Sequence, residues 1–357
     1  MTRFLTFAFI VSTLPMIGGC GGKSDGTASG TPVRISGGGS SFIDPIMQKW
    51  SSEYGKAKGG EINYVASSSG KGIADVTAKN LDFGCSDAPM NAKEVEAAAA
   101  QGGEVVHVPL TVGAVAVIFN LDGIQDLKLS GEVLAEIYLK KVTKWNDPKI
   151  AALNPGLGLP DKEISPVRRN DSSGTTNIFT EYLSKRSAEF KKNPGTSKDP
   201  KWPDGLISKK GNDGIADAVK TTGGTIGYVE LAYAKKNGIA YATIVNAAGK
   251  PVKPDAASVT AAVETAIKVK QDAPPYSLHP LAFSFTDAAG DAAYPIVGAT
   301  YAIVFKKQPK DKGPAIVAFF KWVVTDGQKL ATDLDYAPLP AELAKKVEDL
   351  LGSVSFE

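Results

Sequence analysis

The sequence predicts an α/β protein of mostly parallel sheets flanked by helices, divided into two domains. Strand-like and helix-like segments alternate along the chain after residue 31, the pattern of parallel sheets covered by helices. A length of 357 residues passes the roughly 250–300 at which a single hydrophobic core stops growing. Apolar residues make up 43% and charged residues 22%, which suits a folded chain and excludes a disordered one. No internal repeat interrupts the pattern.

The N-terminus reads as an address. Arg3 precedes an uncharged apolar stretch from Phe4 to Ile17. That stretch is shorter than the about 20 residues a membrane-spanning helix needs, and it suits the apolar part of a secretory signal. Ile17-Gly18-Gly19-Cys20 resembles a bacterial lipobox. Residues 1–19 are therefore expected to be a lipoprotein signal peptide, with Cys20 lipidated as the first mature residue. Residues 20–32 read as that Cys and a flexible Gly/Ser tether. Lipid on Cys20 would leave Cys85 without a disulfide partner. Loss of the signal removes Arg3, so the balance of 40 basic to 38 acidic residues becomes still closer to neutral.

The elements then follow in order. Arg34-Ile35 leads into a Gly/Ser turn, and apolar residues at 42, 43, 46, 47, 50 and 54 form a helical stripe. Asp44 is expected to cap that helix, with Pro45 at its first position. Ile62 to Val65 is a short strand, and Ile73 with Val76 marks a small helix after Ser69. Val105 to Phe119 is β-rich, with an interruption expected at Pro109. Ile226 to Val229 and Ile296 to Phe305 are further strands, and Ile316 to Val324 a buried helix. Residues 184–214, rich in Lys, Pro, Gly and Asn, read as a long surface excursion.

Charge and composition exclude several classes. A formal net charge of +2 is not that of a basic nucleic-acid binder. Two Cys and two His, His107 and His279, form no zinc motif, and no cofactor or metal is expected. The His residues are read as structural or exposed. Ser68-Ser69-Gly70-Lys71 matches SxxK, but its companions SDN and KTG are absent. The same stretch fails the P-loop pattern, with Val65 where the first Gly belongs and Gly72 where Ser or Thr belongs. Ser173 lies outside any GxSxG. An enzyme is not expected.

Four loops share one design, small or hydroxylated residues at a strand end ahead of a helix. They are Gly37 to Phe42, Ser67 to Gly70, Asp82 to Pro89, and Arg168 to Thr175. Free N–H groups at a helix start, with hydroxyls beside them, favour an anion. An Arg in such a loop adds a planar fork that fits two oxygens of an oxyanion. Any one loop alone is no more than a helix cap.

Together the motifs resemble the phosphate-binding proteins of bacterial phosphate ABC importers, the PstS family. The resemblance covers nearly all of residues 34–340. It rests on Gly37-Gly38-Gly39-Ser40-Ser41-Phe42, Asp82-Phe83-Gly84 with Ser86-Asp87-Ala88-Pro89, and Lys144-Trp145-Asn146-Asp147. It continues through Val167-Arg168-Arg169 with Asp171, Ser173-Gly174-Thr175, Lys210-Gly211-Asn212-Asp213-Gly214, Gly227-Tyr228-Val229-Glu230 and Asp333-Leu334-Asp335-Tyr336-Ala337.

The resemblance implies a two-lobed periplasmic-binding-protein fold of type II with the ligand in the interlobe cleft. Lobe 1 would be 33–111 plus 294–357 and lobe 2 would be 112–293, with crossings near Thr111 and Tyr294. It implies phosphate held by Ser41, Phe42, Ser68, Asp87, Arg169, Ser173, Gly174 and Thr175, with Asp171 gripping Arg169. Whether Ser68 or Ser69 serves is open from the sequence. Asp87 would accept a hydrogen bond from the proton that phosphate carries and sulfate lacks at neutral pH, which selects by an unmet polar group. Delivery to an ABC permease, a periplasmic or cell-surface location on a lipid anchor, and a monomer are the further expectations. Receptors for sulfate or molybdate, a phosphoester hydrolase, and an adhesin or sensor are the rival readings.

Overall fold

The computed structural model describes residues 33–357. The expected signal peptide at 1–19, Cys20 and the tether at 20–32 lie outside the described residues. The chain opens with β1 (Arg34–Gly39), α1 (Asp44–Lys58), β2 (Glu61–Ala66), α2 (Ser69–Thr77), β3 (Phe83–Ser86), α3 (Ala92–Gly102) and the long β4 (Val105–Phe119). A middle section follows with β5 (Lys128–Ser130), α4 (Gly131–Tyr138), α5 (Pro148–Leu153), β6 (Ser165–Arg169), α6 (Gly174–Arg186) and α7 (Ala188–Lys192). It continues through β7 (Ile207–Lys209), α8 (Gly211–Thr221), β8 (Thr225–Glu230), α9 (Leu231–Asn237), β9 (Thr243–Val245), β10 (Pro251–Val252) and α10 (Ala256–Ala266). The chain closes with β11 (Val297–Phe305), β12 (Lys307–Gln308), α11 (Gly313–Val324), α12 (Ala341–Gly352) and β13 (Ser355–Phe356). Among the described residues no helix is long and apolar enough to cross a membrane.

Eight strands form one sheet in the order β2-β1-β3-β11-β4-β8-β6-β7. β1 runs parallel to β2 and β3, and β6 runs parallel to β7 and β8. Two antiparallel contacts of β11, with β3 and with β4, and one of β4, with β8, join the two parallel groups. The sequence of β4, VVHVPLTVGAVAVIF, is β-branched and apolar almost throughout, and every residue from Val106 to Phe119 is buried. That is the composition of a strand covered on both faces.

β4 positions the site. Val105 to Ala114 pair with β11, and Val115 to Phe119 pair with β8. The carboxyl end of β8, Glu230, meets β4 at Val115. The carboxyl end of β3, Ser86, faces Tyr301, which in turn pairs with Pro109. Both parallel groups therefore aim their carboxyl ends at the middle of one strand. In open α/β sheets the loops beyond the carboxyl ends are where ligands bind.

Three local expectations change. Pro109 does not interrupt the strand. The register shifts between Thr300 and Tyr301, where Thr300 pairs with Thr111 and Tyr301 with Pro109, so Leu110 is an extra residue. A bulge tolerates a residue that cannot donate to the ladder. Asp44 does not cap α1; it is the first helical residue, Pro45 follows inside the first turn, and Ile43 is the N-cap without a side-chain bond. Residues 184–214 are not simply an excursion. β7 pairs with β6 at the sheet edge, and Phe190 is fully buried.

Candidate functional site

The loops beyond the carboxyl ends bring most of the expected residues together. On one side, Ser40, Ser41 and Phe42 follow β1, and Ser68 caps α2 by accepting from the Lys71 N–H. β3 runs into Asp87. On the other side, β6 ends at Arg169, and Ser173 caps α6 by accepting from the Thr176 N–H at 3.1 Å. Ser and Thr at such positions satisfy helix N–H groups locally, which is why these loops are short and sharply turned.

Arg169 is gripped by Asp171. Nε donates to Oδ1 and Nη2 to Oδ2, each at 2.6 Å. The Arg169 backbone N–H donates to the Tyr228 hydroxyl at 3.2 Å, and the Tyr228 ring stacks on Phe179 with centroids 4.3 Å apart. The Arg169 side chain is 2% exposed, yet its Nη1 has no partner among the described residues. A buried guanidinium N–H left unpaired costs free energy unless something negative meets it.

Asp87 lies opposite in sign and is 3% exposed. Its Oδ2 accepts from the Ser40 hydroxyl at 2.6 Å and from Ser69 Oγ at 3.5 Å. Its Oδ1 accepts from the Thr300 hydroxyl at 2.7 Å. Burial pushes the carboxyl up to about 6, against the pull of the Ser40 and Thr300 hydrogen bonds, the Arg169 charge and the Ser69 bond. The neighbouring Cys85 thiol is raised by burial and stays protonated, behaving as a small buried hydrophobe.

Ser69, not Ser68, is the meeting point of the two sides. Its Oγ accepts from the Asp87 N–H at 3.2 Å and from the Gly174 N–H at 3.0 Å. The Gly70 N–H donates to the Ser172 carbonyl at 2.9 Å. The two sides approach so closely that a Cβ on Gly174 would lie 2.4 Å from Ser69 Oγ and 2.7 Å from Asp87 Cβ. An open cleft of about 970 Å³ adjoins this point at Ala88, Pro89 and Ser172, but neither Asp87 nor Arg169 lines it.

Several expected donors are already engaged. The Phe42 N–H donates to Ser40 Oγ at 3.0 Å, and the Ser173 N–H to the Lys198 carbonyl at 2.8 Å. Thr175 lies in the first turn of α6, where helix N–H groups have no intrahelical acceptor.

Sequence reasoning missed Asn212. It is fully buried at the start of α8. Its side-chain amide donates to Ser41 Oγ at 2.9 Å and to Thr175 Oγ1 at 3.4 Å, and its backbone N–H also reaches Ser41 Oγ at 3.2 Å. Its Oδ1 accepts from the Glu230 N–H. The available signal was its place in the Lys210 to Gly214 motif. Ser40 and Thr300 were also missed as neighbours of Asp87. Tyr233, which donates to the Ser41 carbonyl at 2.7 Å, completes this wall.

His107 and His279 are both buried, and their rings lie tilted at 35° with centroids 3.6 Å apart. His107 Nε2 accepts from the Met90 N–H, and His279 Nε2 donates to the Met90 carbonyl at 2.8 Å. They clamp the loop that carries Asp87. Among the described residues no group of His, Cys, Asp and Glu could hold a metal ion.

Comparison with known proteins sets this geometry in a family. A family model described as the PBP superfamily domain matches residues 26–327. The phosphate-binding protein PstS of Xylella fastidiosa is 44% identical over 320 residues, covering 88% of this chain and 84% of that protein. The chain belongs to the PstS family of phosphate-binding proteins. The PstS protein of Pasteurella multocida is 42% identical over 317 residues, covering 88% of each. A solved high-affinity periplasmic phosphate-binding protein, crystallised with phosphate, superposes with a TM-score of 0.72 over 89% of this chain and 93% of its own, at 23% identity. That likeness establishes the periplasmic-binding-protein fold, two α/β lobes about a cleft.

Proposed function

We propose that this protein is an extracytoplasmic solute-binding lipoprotein, anchored through lipid on Cys20, that captures inorganic phosphate and delivers it to an ABC-type import permease. The observation that carries the reading is the Arg169 side chain. Asp171 spends two of its N–H directions and leaves Nη1 buried and unpaired. A tetrahedral oxyanion is the group that answers such a donor. Lobe 1 is taken as 33–111 with 294–357 and lobe 2 as 112–293, hinging where β4 passes from β11 to β8.

In this reading Ser41, Ser68 and Thr175 donate without losing an existing backbone bond. Phe42, Ser173 and Gly174 exchange their present acceptors for phosphate oxygens as the ligand enters. Asp87 accepts a hydrogen bond from the proton that phosphate keeps. An anion without a proton sets its oxygens against the carboxylate, so sulfate is rejected by charge and by the unpaired acceptor rather than by size.

Calorimetric titration of the purified protein tests this. One phosphate per chain with sulfate at least 100-fold weaker is expected. Equal affinity for the two would defeat the Asp87 argument, and turnover of a chromogenic phosphate ester at enzyme-like rates would replace the binder with a hydrolase. The mass of the membrane-extracted mature chain tests lipid on Cys20, and phosphate uptake in a deletion strain under limitation tests delivery.

A further inference from the structure

The Asp87 carboxylate has a distinct partner on each oxygen. Oδ2 is shared by Ser40, just after β1, and Ser69, the first residue of α2. Oδ1 accepts from Thr300 alone among the described residues. Thr300 is fully buried and belongs to β11, the strand that pairs with both β3 and β4. Tyr301 pairs with Ser86, so one step further along the antiparallel ladder places Thr300 across from Asp87. The register shift between Thr300 and Tyr301 falls at the same point. Bulges re-aim side chains in this way.

We propose that Thr300 is the positioning residue that keeps Asp87 an ionised acceptor, and thereby sets the discrimination between protonated and fully deprotonated tetrahedral oxyanions. This rests on the reading of the cleft as an oxyanion site. A carboxylate oxygen can accept a hydrogen bond from the protonated ligand only while it carries no proton itself. A buried carboxylate resists ionisation, and hydroxyl donors offset that resistance. The charged and titratable groups around Asp87 do not supply the balance alone. Arg169 favours the charged form. Tyr64, Cys85, Glu230 and Tyr336 lie within range of its charge, and all of these are acids whose negative forms would oppose it. Ser40 holds only one of the two oxygens. Without the Thr300 hydroxyl, Oδ1 faces an apolar strand and takes up a proton. Protonated Asp87 then donates to an oxyanion oxygen instead of accepting, and sulfate becomes an acceptable ligand.

The test is a pair of titrations, phosphate and sulfate, on Thr300→Val, Thr300→Ala and Thr300→Ser from pH 5 to 8. Thr300→Val keeps the branched shape and removes the donor; Thr300→Ser keeps the donor. In the unsubstituted protein, sulfate affinity rises as pH falls and Asp87 gains a proton. Thr300→Val and Thr300→Ala shift the midpoint of that rise upward. They also cut the phosphate-over-sulfate ratio at pH 7 by about tenfold or more, the scale of one lost buried hydrogen bond. Thr300→Ser stays within about threefold of the parent. An unshifted midpoint with an unchanged ratio in either donor-free variant would overturn the role of Thr300 while leaving the oxyanion site intact. If both donor-free variants fail to fold, ¹³C NMR titration of Asp87 decides. In the parent and Thr300→Ser, the Asp87 midpoint must be insensitive to bulk and equally low; a higher midpoint in Thr300→Ser counts against the hydroxyl as the cause. Failure of the parent to bind phosphate at all would instead remove the oxyanion reading itself.

Discussion

The Arg169 guanidinium and the Asp171 carboxylate meet edge to edge, through two parallel hydrogen bonds of 2.6 Å each. This contact fixes the plane of the guanidinium and so fixes where its third nitrogen lies. Asp171 does this without occupying the site. Replacing it with Asn loses one acceptor oxygen and the charge, and frees the guanidinium to rotate. Phosphate affinity of Asp171→Asn should fall about 10–100-fold, or roughly 1.5–3 kcal/mol, with the fold retained by circular dichroism. Arg169→Lys should lose as much or more, because a point charge does not reproduce the fork. An affinity within twofold of the parent for both variants would show that the pair is not what holds the anion.

Two glycines where the two sides meet have no space for a side chain. A Cβ on Gly70 would lie 2.3 Å from Ser172 Oγ, and one on Gly174 would lie 2.4 Å from Ser69 Oγ. Both contacts join the start of α2 to the segment that leads into α6. If the proposed lobes open without ligand, Gly70→Ala and Gly174→Ala should weaken phosphate binding at least about tenfold while costing the ligand-free protein less, because an opened cleft relieves both contacts and neither glycine sits at positive φ. Denaturant unfolding with and without phosphate separates the two effects. Equal losses in both conditions would mean the glycines serve folding rather than closure.

Asp87 is held at a cost to stability. Its carboxyl is raised from an ordinary 3.8 to about 6. A raised carboxyl stabilises the fold below its unfolded value, and that contribution is lost as pH rises from about 4 through about 6. At pH 7.5 the ligand-free protein carries a penalty of about 3 kcal/mol from this group. Asp87→Asn should therefore be more stable than the parent in urea at pH 7.5, with the difference shrinking towards pH 4, and should bind sulfate better. A variant less stable than the parent at every pH would contradict the burial penalty.

The two histidines impose the opposite pH dependence. Burial lowers both, and for His107 the nearby His279 and Lys198 lower it further. A lowered His contributes stability above its ordinary value of about 6.5, and that contribution is lost as pH falls below it. Protonation of His107 would also remove the acceptor for the Met90 N–H. The stability difference between the parent and His107→Gln should shrink as pH falls from 7.5 to 5, measured by chemical denaturation. A difference that stays constant over that range would mean the pair does not titrate during unfolding.

Much of the site could be read from the chain because its loops are local devices. Ser68 and Ser173 cap the helices that follow them, and Asp171 lies two residues from the Arg it grips. Such relationships depend on neighbours within a few residues. Asp44 shows where this reading falls short. Its side chain has the chemistry of a cap, but Phe42 and Ile43 turn the chain one residue earlier, and Asp44 enters the helix itself. Pro109 was misread for the related reason that a bulge cannot be recognised without its partner strand.

By itself the sequence determined the alternation of strands and helices and the small and hydroxylated strand ends, because apolar periodicity, capping and short turns are local physics; the Arg169–Asp171 pairing came only with the family resemblance. Only the tertiary structure decided which groups share the buried centre. Ser40, Ser69 and Thr300 converge on Asp87, and Asn212 reaches Ser41 and Thr175, from segments far apart in the chain. That convergence follows from β4, one buried strand onto whose middle two parallel groups turn their carboxyl ends. A hydroxyl's role there depends on which strand lies opposite it, and strand register is settled by the packing of the whole sheet.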